Sequence, residues 1–86
     1  MDQSARRVVV IGDALIDELR TPAGSDDHVG GAGLNVAVGL ARLGVPTTLL
    51  ASVGYDADGA AIRDHLAEHG VELVATTNPL GTGRAV

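Results

Sequence analysis

Short β-branched runs alternate along this chain with longer stretches of helical spacing. Val8 to Ile11 is a continuous apolar run, the pattern of a strand buried on both faces of a parallel sheet, and Ala14 to Leu19 reads as its prolongation. Arg20 to Val29 is polar and turn-rich, with Pro22, Gly24, Ser25, Asp26 and Asp27. It predicts a loop or a short exposed ribbon. The period then changes. In GGAGLNVAVGLARLG, Gly30 to Gly44, one helical face carries Leu34, Ala37, Val38 and Ala41, while Val36, Leu40 and Leu43 cover much of the other. A helix this apolar is expected to be buried, and Gly44 with Pro46 behind it marks its end.

Thr47 to Val53 predicts a second strand. Asp56 or Asp58 can cap a helix over Gly59 to His69, with Ile62 and Leu66 inward and Gly70 at its stop. Val71 to Ala75 predicts a third strand, Thr76 to Gly81 a turn around Asn78-Pro79, and Gly83 to Val86 the start of another strand. Strands and helices alternating at these spacings argue for right-handed βαβ units and a mostly parallel sheet. Two helices for three or four strands would leave one face or edge bare. Residues 1–86 are therefore expected to be the N-terminal part of a larger α/β domain.

Composition narrows the partners. The 86 residues make one small domain at most, and Tyr55 is the only aromatic side chain. A net charge of −5 without a single lysine offers no basic stripe, and there is no aromatic stacking platform. Nucleic acid is thereby an unsuitable partner. The absence of cysteine removes disulfides and thiolate metal sites. MDQSARR leads into too few apolar residues for a signal-peptide core or a membrane span, so a soluble, cytoplasmic protein without a membrane partner is the expectation.

Candidate chemistry gathers at the glycine pair. Gly30 and Gly31 run directly into a helix with a single amide, Asn35, in its first turn. Glycines permit close approach of backbone to ligand, and free N–H groups at a helix start favour hydroxyl or anionic oxygens. Each residue also has a structural reading. Asp17 can be a solvated strand-end carboxylate, Asn35 a helix cap, and Gly30, Gly31 and Gly33 a tight packing contact. Asp56 and Asp58 read as caps, and Arg42 as a partner of a helix C-terminus or a carboxylate. His28, His65 and His69 form no metal constellation. A dinucleotide fingerprint fails, because Val36 stands where its third glycine belongs and a polar loop precedes the glycines.

Four segments, in this order and at these distances, resemble the N-terminal third of the ribokinase-like sugar kinases, the phosphofructokinase B family. They are the first strand with Gly12-Asp13 and Asp17, then GGAGLNVAVGLARLG, then VGYDADGAAIRDHLAEHGV (Val53 to Val71), and TGRAV (Thr82 to Val86). The resemblance implies a doubly wound, mostly parallel α/β sheet with a small β lid, of which residues 18–29 would be a short version. It implies transfer of the ATP γ-phosphoryl group, with Mg2+, to a hydroxymethyl of a small sugar. Asp17 would accept hydrogen bonds from sugar hydroxyls, Gly30 and Gly31 would contact sugar at the lid hinge, and Asn35 would both donate and accept. Pairing into a homodimer through the lid or the exposed sheet is a further implication.

Departures from the pattern refine these expectations. Leu15 stands where ribokinases proper carry an Asn, and Ala32 where they carry a Lys. Ribose is thereby disfavoured, and the GGAGLN form looks closer to fructokinases or ketodeoxygluconate kinases. The family's catalytic aspartate, in a Gly-Ala-Gly-Asp motif, is not among these residues, nor is its nucleotide pocket. The chain alone is expected to be inactive and to bind neither ATP nor metal. A non-enzymatic module that binds a polyol or another chain is the alternative reading.

Overall fold

The computed structural model describes residues 6–77 and 81–85. The first strand, β1 (Val8–Ile11), has the predicted bounds. It does not continue to Leu19. Gly12 and Asp13 take the chain out of the sheet, and Leu15–Thr21 is a separate strand, β2. The reason lies in a backbone crossing. A Cβ on Gly12 would stand 2.9 Å from the Gly33 Cα, and one on Gly33 would stand 2.6 Å from the Asp13 nitrogen. The strand end meets the start of a helix with only hydrogens between them, and the chain leaves the sheet there.

The polar stretch that follows is a ribbon. β2 pairs antiparallel with β3 (Gly24–Gly30), Thr21 standing opposite Gly24 around a Pro22-Ala23 turn. Then come α1 (Ala32–Arg42), β4 (Thr47–Ser52), α2 (Ala57–Glu68), β5 (Glu72–Thr76) and β6 (Gly83–Ala85). One sheet has the order β1-β4-β5, with both pairings parallel. The Gly83 strand is not a fourth member of it. β6 pairs parallel with β2, giving a second sheet of order β3-β2-β6. Its residues are exposed, and Arg84 bonds to Asp58 of α2 while Thr82, just before the strand, bonds to Asp56, where an apolar strand of the main sheet would be packed instead. The turn expected around Asn78-Pro79 lies outside the described residues.

Both helices cover the same face of the main sheet. Val10, Leu49, Ala51 and Leu73 meet Leu34, Ala37 and Val38 of α1 and Ile62 and Leu66 of α2 in one cluster. Each such leucine contributes about 1.5–3 kcal/mol by leaving water. The other face is uncovered by any described element. There the register aligns Ile11, Leu50 and Val74, and Ile11 is 77% exposed. β1 is thus covered on one side only, contrary to the expectation from its apolar run. The same correction applies to α1. Val36 and Leu43 remain 55% and 80% exposed on its outer side, because only its Leu34-Ala37-Val38 side reaches the sheet.

The helix ends follow local rules. Asp56 caps α2, its carboxylate accepting from the Gly59 N–H at 2.7 Å. Past α1, Gly44 takes the left-handed conformation, with φ 83°, that ends the helix. The glycine crossing yields a prediction of opposite signs within α1. Gly33→Ala should lower the unfolding free energy by ~1–3 kcal/mol. Gly39→Ala, where an added Cβ meets nothing within 4 Å, should raise it by ~0.5–1 kcal/mol. Urea unfolding of both variants checks this.

Candidate functional site

The ribbon and the start of α1 bring part of the predicted site together. Gly30 is buried at the end of β3, and a Cβ on it would collide with the Asp17 carboxylate, which lies across it. The register explains the contact. Leu15 stands opposite Gly30 and Asp17 opposite His28, so Asp17 and Gly30 are diagonal neighbours on one face of the ribbon. Asp17 itself is exposed. Gly31 is the N-cap of α1 at φ 108°, a conformation suited to glycine, and a Cβ there would stand 2.6 Å from the Asp13 carbonyl oxygen.

Backbone, and no side chain, caps this helix. The Asp13 carbonyl accepts from the Leu34 N–H at 2.9 Å, and the Gly31 carbonyl accepts from the Asn35 N–H at 2.9 Å. Asn35 is therefore not the cap, and its exposed side chain stands in the first turn. Gly30, Gly31 and Gly33 each have a packing reason as well, since each faces a neighbour that a Cβ would strike. What the arrangement offers chemically is an accessible carboxylate over a glycine turn, followed by an amide at a helix start. The carboxylate can accept two hydroxyls, and the amide can donate to one and accept from another.

A cleft of about 410 Å³ opens at the carboxyl ends of β1, β4 and β5, lined by Ile11, Gly12, Asp13, Leu50, Ala51, Ser52 and Thr76. Parallel sheets commonly bind ligands at that end. None of Asp17, Gly30, Gly31 and Asn35 lines it.

The polar junction at the start of α2 was only half visible in the pattern of residues. Asp56 does more than cap. It also accepts from the Thr82 N–H at 2.8 Å and from the Thr82 hydroxyl, which in turn accepts from the Gly54 N–H at 3.0 Å. The Thr82 hydroxyl above all, then the Thr82 and Gly59 N–H groups, hold the Asp56 carboxyl down at about 2. Arg84 donates from Nε to Asp58 at 2.7 Å and from Nη2 to Asp27 at 2.6 Å, with Glu18 at 3.6 Å. Asp58 first, then Asp27, raises its guanidinium above the ordinary value. The Asp56 cap was legible from spacing, whereas Asp58 lies in the first turn of α2 and does not cap it, and both aspartates have partners 26 residues away.

The remaining histidines serve the crossing of the helix ends. His69 Nδ1 lies 2.8 Å from the His65 carbonyl, and His69 Nε2 lies 3.3 Å from an Arg42 nitrogen. Because a guanidinium only donates, Nε2 accepts and Nδ1–H donates. Arg42 thus meets an imidazole and not a carboxylate. Burial, with the nearby His69, pushes His65 below the usual imidazole value. Among the described residues no three His, Asp or Glu side chains converge to hold a metal ion, and no helix is long and apolar enough to cross a membrane.

Comparison with known proteins identifies the family. Residues 5–81 match the family described as pfkB family carbohydrate kinase. A bifunctional protein, HldE, from Nitrosococcus oceani is 39% identical over 84 residues, which cover 79% of this chain and 18% of that protein. A fructokinase from Escherichia coli is 41% identical over 71 residues, covering 78% of this chain and 22% of that protein. Among solved structures, a fructokinase with bound ATP from Xylella fastidiosa superposes with a TM-score of 0.82 at 31% identity, over 91% of this chain and 28% of that one. The chain spans 18% and 22% of the length of those two curated relatives.

The Asp56 junction carries a pH dependence whose sign follows from its lowered carboxyl. The contribution is complete above the unfolded value of 3.8 and is lost as pH falls toward about 2. Urea midpoints measured across that window should fall less steeply for Asp56→Asn than for the parent chain.

Proposed function

The chain belongs to the pfkB family of carbohydrate kinases, and from that premise we propose that it is the sugar-binding part of an ATP-dependent sugar kinase. One observation carries the reading: the Asp17 carboxylate lies across Gly30 beside the glycine start of α1. In this reading Asp17 accepts hydrogen bonds from paired sugar hydroxyls. Asn35 donates to one hydroxyl and accepts from another, and the Gly30-Gly31 backbone closes against the ring. The β2–β3 ribbon, residues 18–29 above all, acts as the lid. These are positioning tasks, which make up a large share of catalysis in phosphoryl transfer.

ATP is the phosphoryl donor in this reaction. The Gly-Ala-Gly-Asp motif that would supply the base is not in the sequence, and no metal-holding cluster forms among the described residues. The chain by itself is proposed to be inactive and to bind neither nucleotide nor metal. Leu15 and Ala32 present no polar group to a sugar, which favours a fructose-like or ketodeoxygluconate-like substrate over ribose. A cytoplasmic setting suits such a reaction. If two copies pair, an open sheet face serves better than the β3 edge, where exposed Asp26 repels a second strand.

A panel of sugars with ATP, assayed on the full-length natural protein, tests the proposal. Asp17→Ala should cost about 2–5 kcal/mol of transition-state stabilisation for the sugar. Unaltered sugar kinetics would remove Asp17 from the site. Asn35→Leu should raise the sugar KM and leave the ATP KM unchanged, and a loss of stability with normal kinetics would make Asn35 a structural residue. The isolated 86-residue chain should release no ADP with any sugar.

A further inference from the structure

Arg84 stands where three elements meet. Its guanidinium reaches Asp27 on β3 at 2.6 Å, Asp58 on α2 at 2.7 Å and Glu18 on β2 at 3.6 Å. We propose that Arg84 is a positioning residue that clamps the ribbon onto α2 and thereby sets where the Asp17 carboxylate stands. The proposal rests on the sugar-kinase reading for its consequence in catalysis, and on geometry alone for the clamp.

The register divides the ribbon into two faces. Ile16 pairs with Val29 and with Arg84, and Glu18 pairs with Asp27, so these residues share one face. That face is turned to α2: Ile16 is buried in the common core and Asp58 meets Arg84 there. Asp17, His28 and Ala85 share the opposite face. The clamp and the candidate sugar contact thus lie on opposite sides of one thin sheet. Any rotation of the ribbon about its clamp side moves Asp17.

The ribbon joins the main sheet and α1 through two short connections, Gly12 to Ala14 and Gly30-Gly31, both at the glycine crossing. Arg84 on β6 supplies a third point of attachment, away from that crossing. Neighbouring polar bonds reinforce the third restraint, because Thr82 is held by Asp56 immediately before β6 begins. A guanidinium is suited to this task and an ammonium is not. Its planar fork engages Asp58 through Nε while Nη2 engages Asp27, whereas a lysine offers one point charge. Exposed ion pairs contribute little to stability singly. What three carboxylates around one fixed fork supply is an angle.

The test uses the full-length natural protein and compares the parent with Arg84→Gln and Arg84→Lys. Amide hydrogen exchange in residues 15–30 should accelerate roughly tenfold or more in Arg84→Gln, with α1 and β4 unchanged, and Arg84→Lys should lie between. The sugar KM should rise roughly tenfold while the ATP KM stays constant, since small displacements of a positioning group cost that much or more. Ribbon exchange that does not change overturns the proposal. So does equal acceleration in α1 and β4, or a parallel rise of both KM values. Should Arg84→Gln not fold, Asp27→Asn removes the ribbon end of the clamp, and the same readings apply. If the parent phosphorylates no sugar, the kinase reading falls while the exchange comparison still decides the clamp.

Discussion

The architecture depends on one contact, the meeting of Gly12 and Gly33 backbone to backbone. A single Cβ at either position would stand under 3 Å from the opposing chain, so the crossing exists only because both residues lack one. Its consequences spread outward. It seats the start of α1 directly on the end of β1 and puts the Asp13 carbonyl where it caps the helix. It also turns the chain out of the main sheet into the ribbon. From there the antiparallel register returns β3 to the same helix start, and Asp17 comes to lie over Gly30. The candidate site is a by-product of how closely two backbones can approach.

A second junction, polar and solvent-facing, ties the ribbon back to the core. At the start of α2, Asp56 holds Thr82 and Asp58 holds Arg84, and Arg84 reaches across to Asp27. The two junctions work by different physics. The glycine crossing is a matter of steric exclusion and dispersion, which salt does not screen. The aspartate junction consists of charge-assisted hydrogen bonds that water and ions screen. A ribbon held by one stiff and one screened junction keeps a defined angle at its base, while its far attachment responds to salt.

The main sheet shows the complementary economy. Its covered face concentrates Leu49, Ala51 and Val10 against both helices, while the open face carries the Ile11-Leu50-Val74 row. Beside that row a short polar chain runs from Arg7 to Thr48 at 3.2 Å and on to Glu72 at 3.1 Å. With these neighbours Thr48 is only 6% exposed. Polar pairing thus shields part of a face that no described helix covers.

Much of this was legible beforehand. The β-branched run of β1, the helical spacing after Gly31, the Asp56 cap and the glycine stops are local signals, each carried within a few residues of where it acts. Residue type and motif order named Asp17, Gly30, Gly31 and Asn35 as candidates, and of these the register lays Asp17 over Gly30. Burial was misjudged where it depended on neighbours. The apolar sequences of β1 and α1 indicated cover on all sides, but Ile11 and Leu43 are exposed because sheet order and crossover side decide which faces meet. The break at Gly12, the place of β6 beside β2, and the bonds of Thr82 and Arg84 to the aspartates were decided only in three dimensions. A sequence states local propensity, whereas contacts between residues tens of positions apart depend on how the chain folds back.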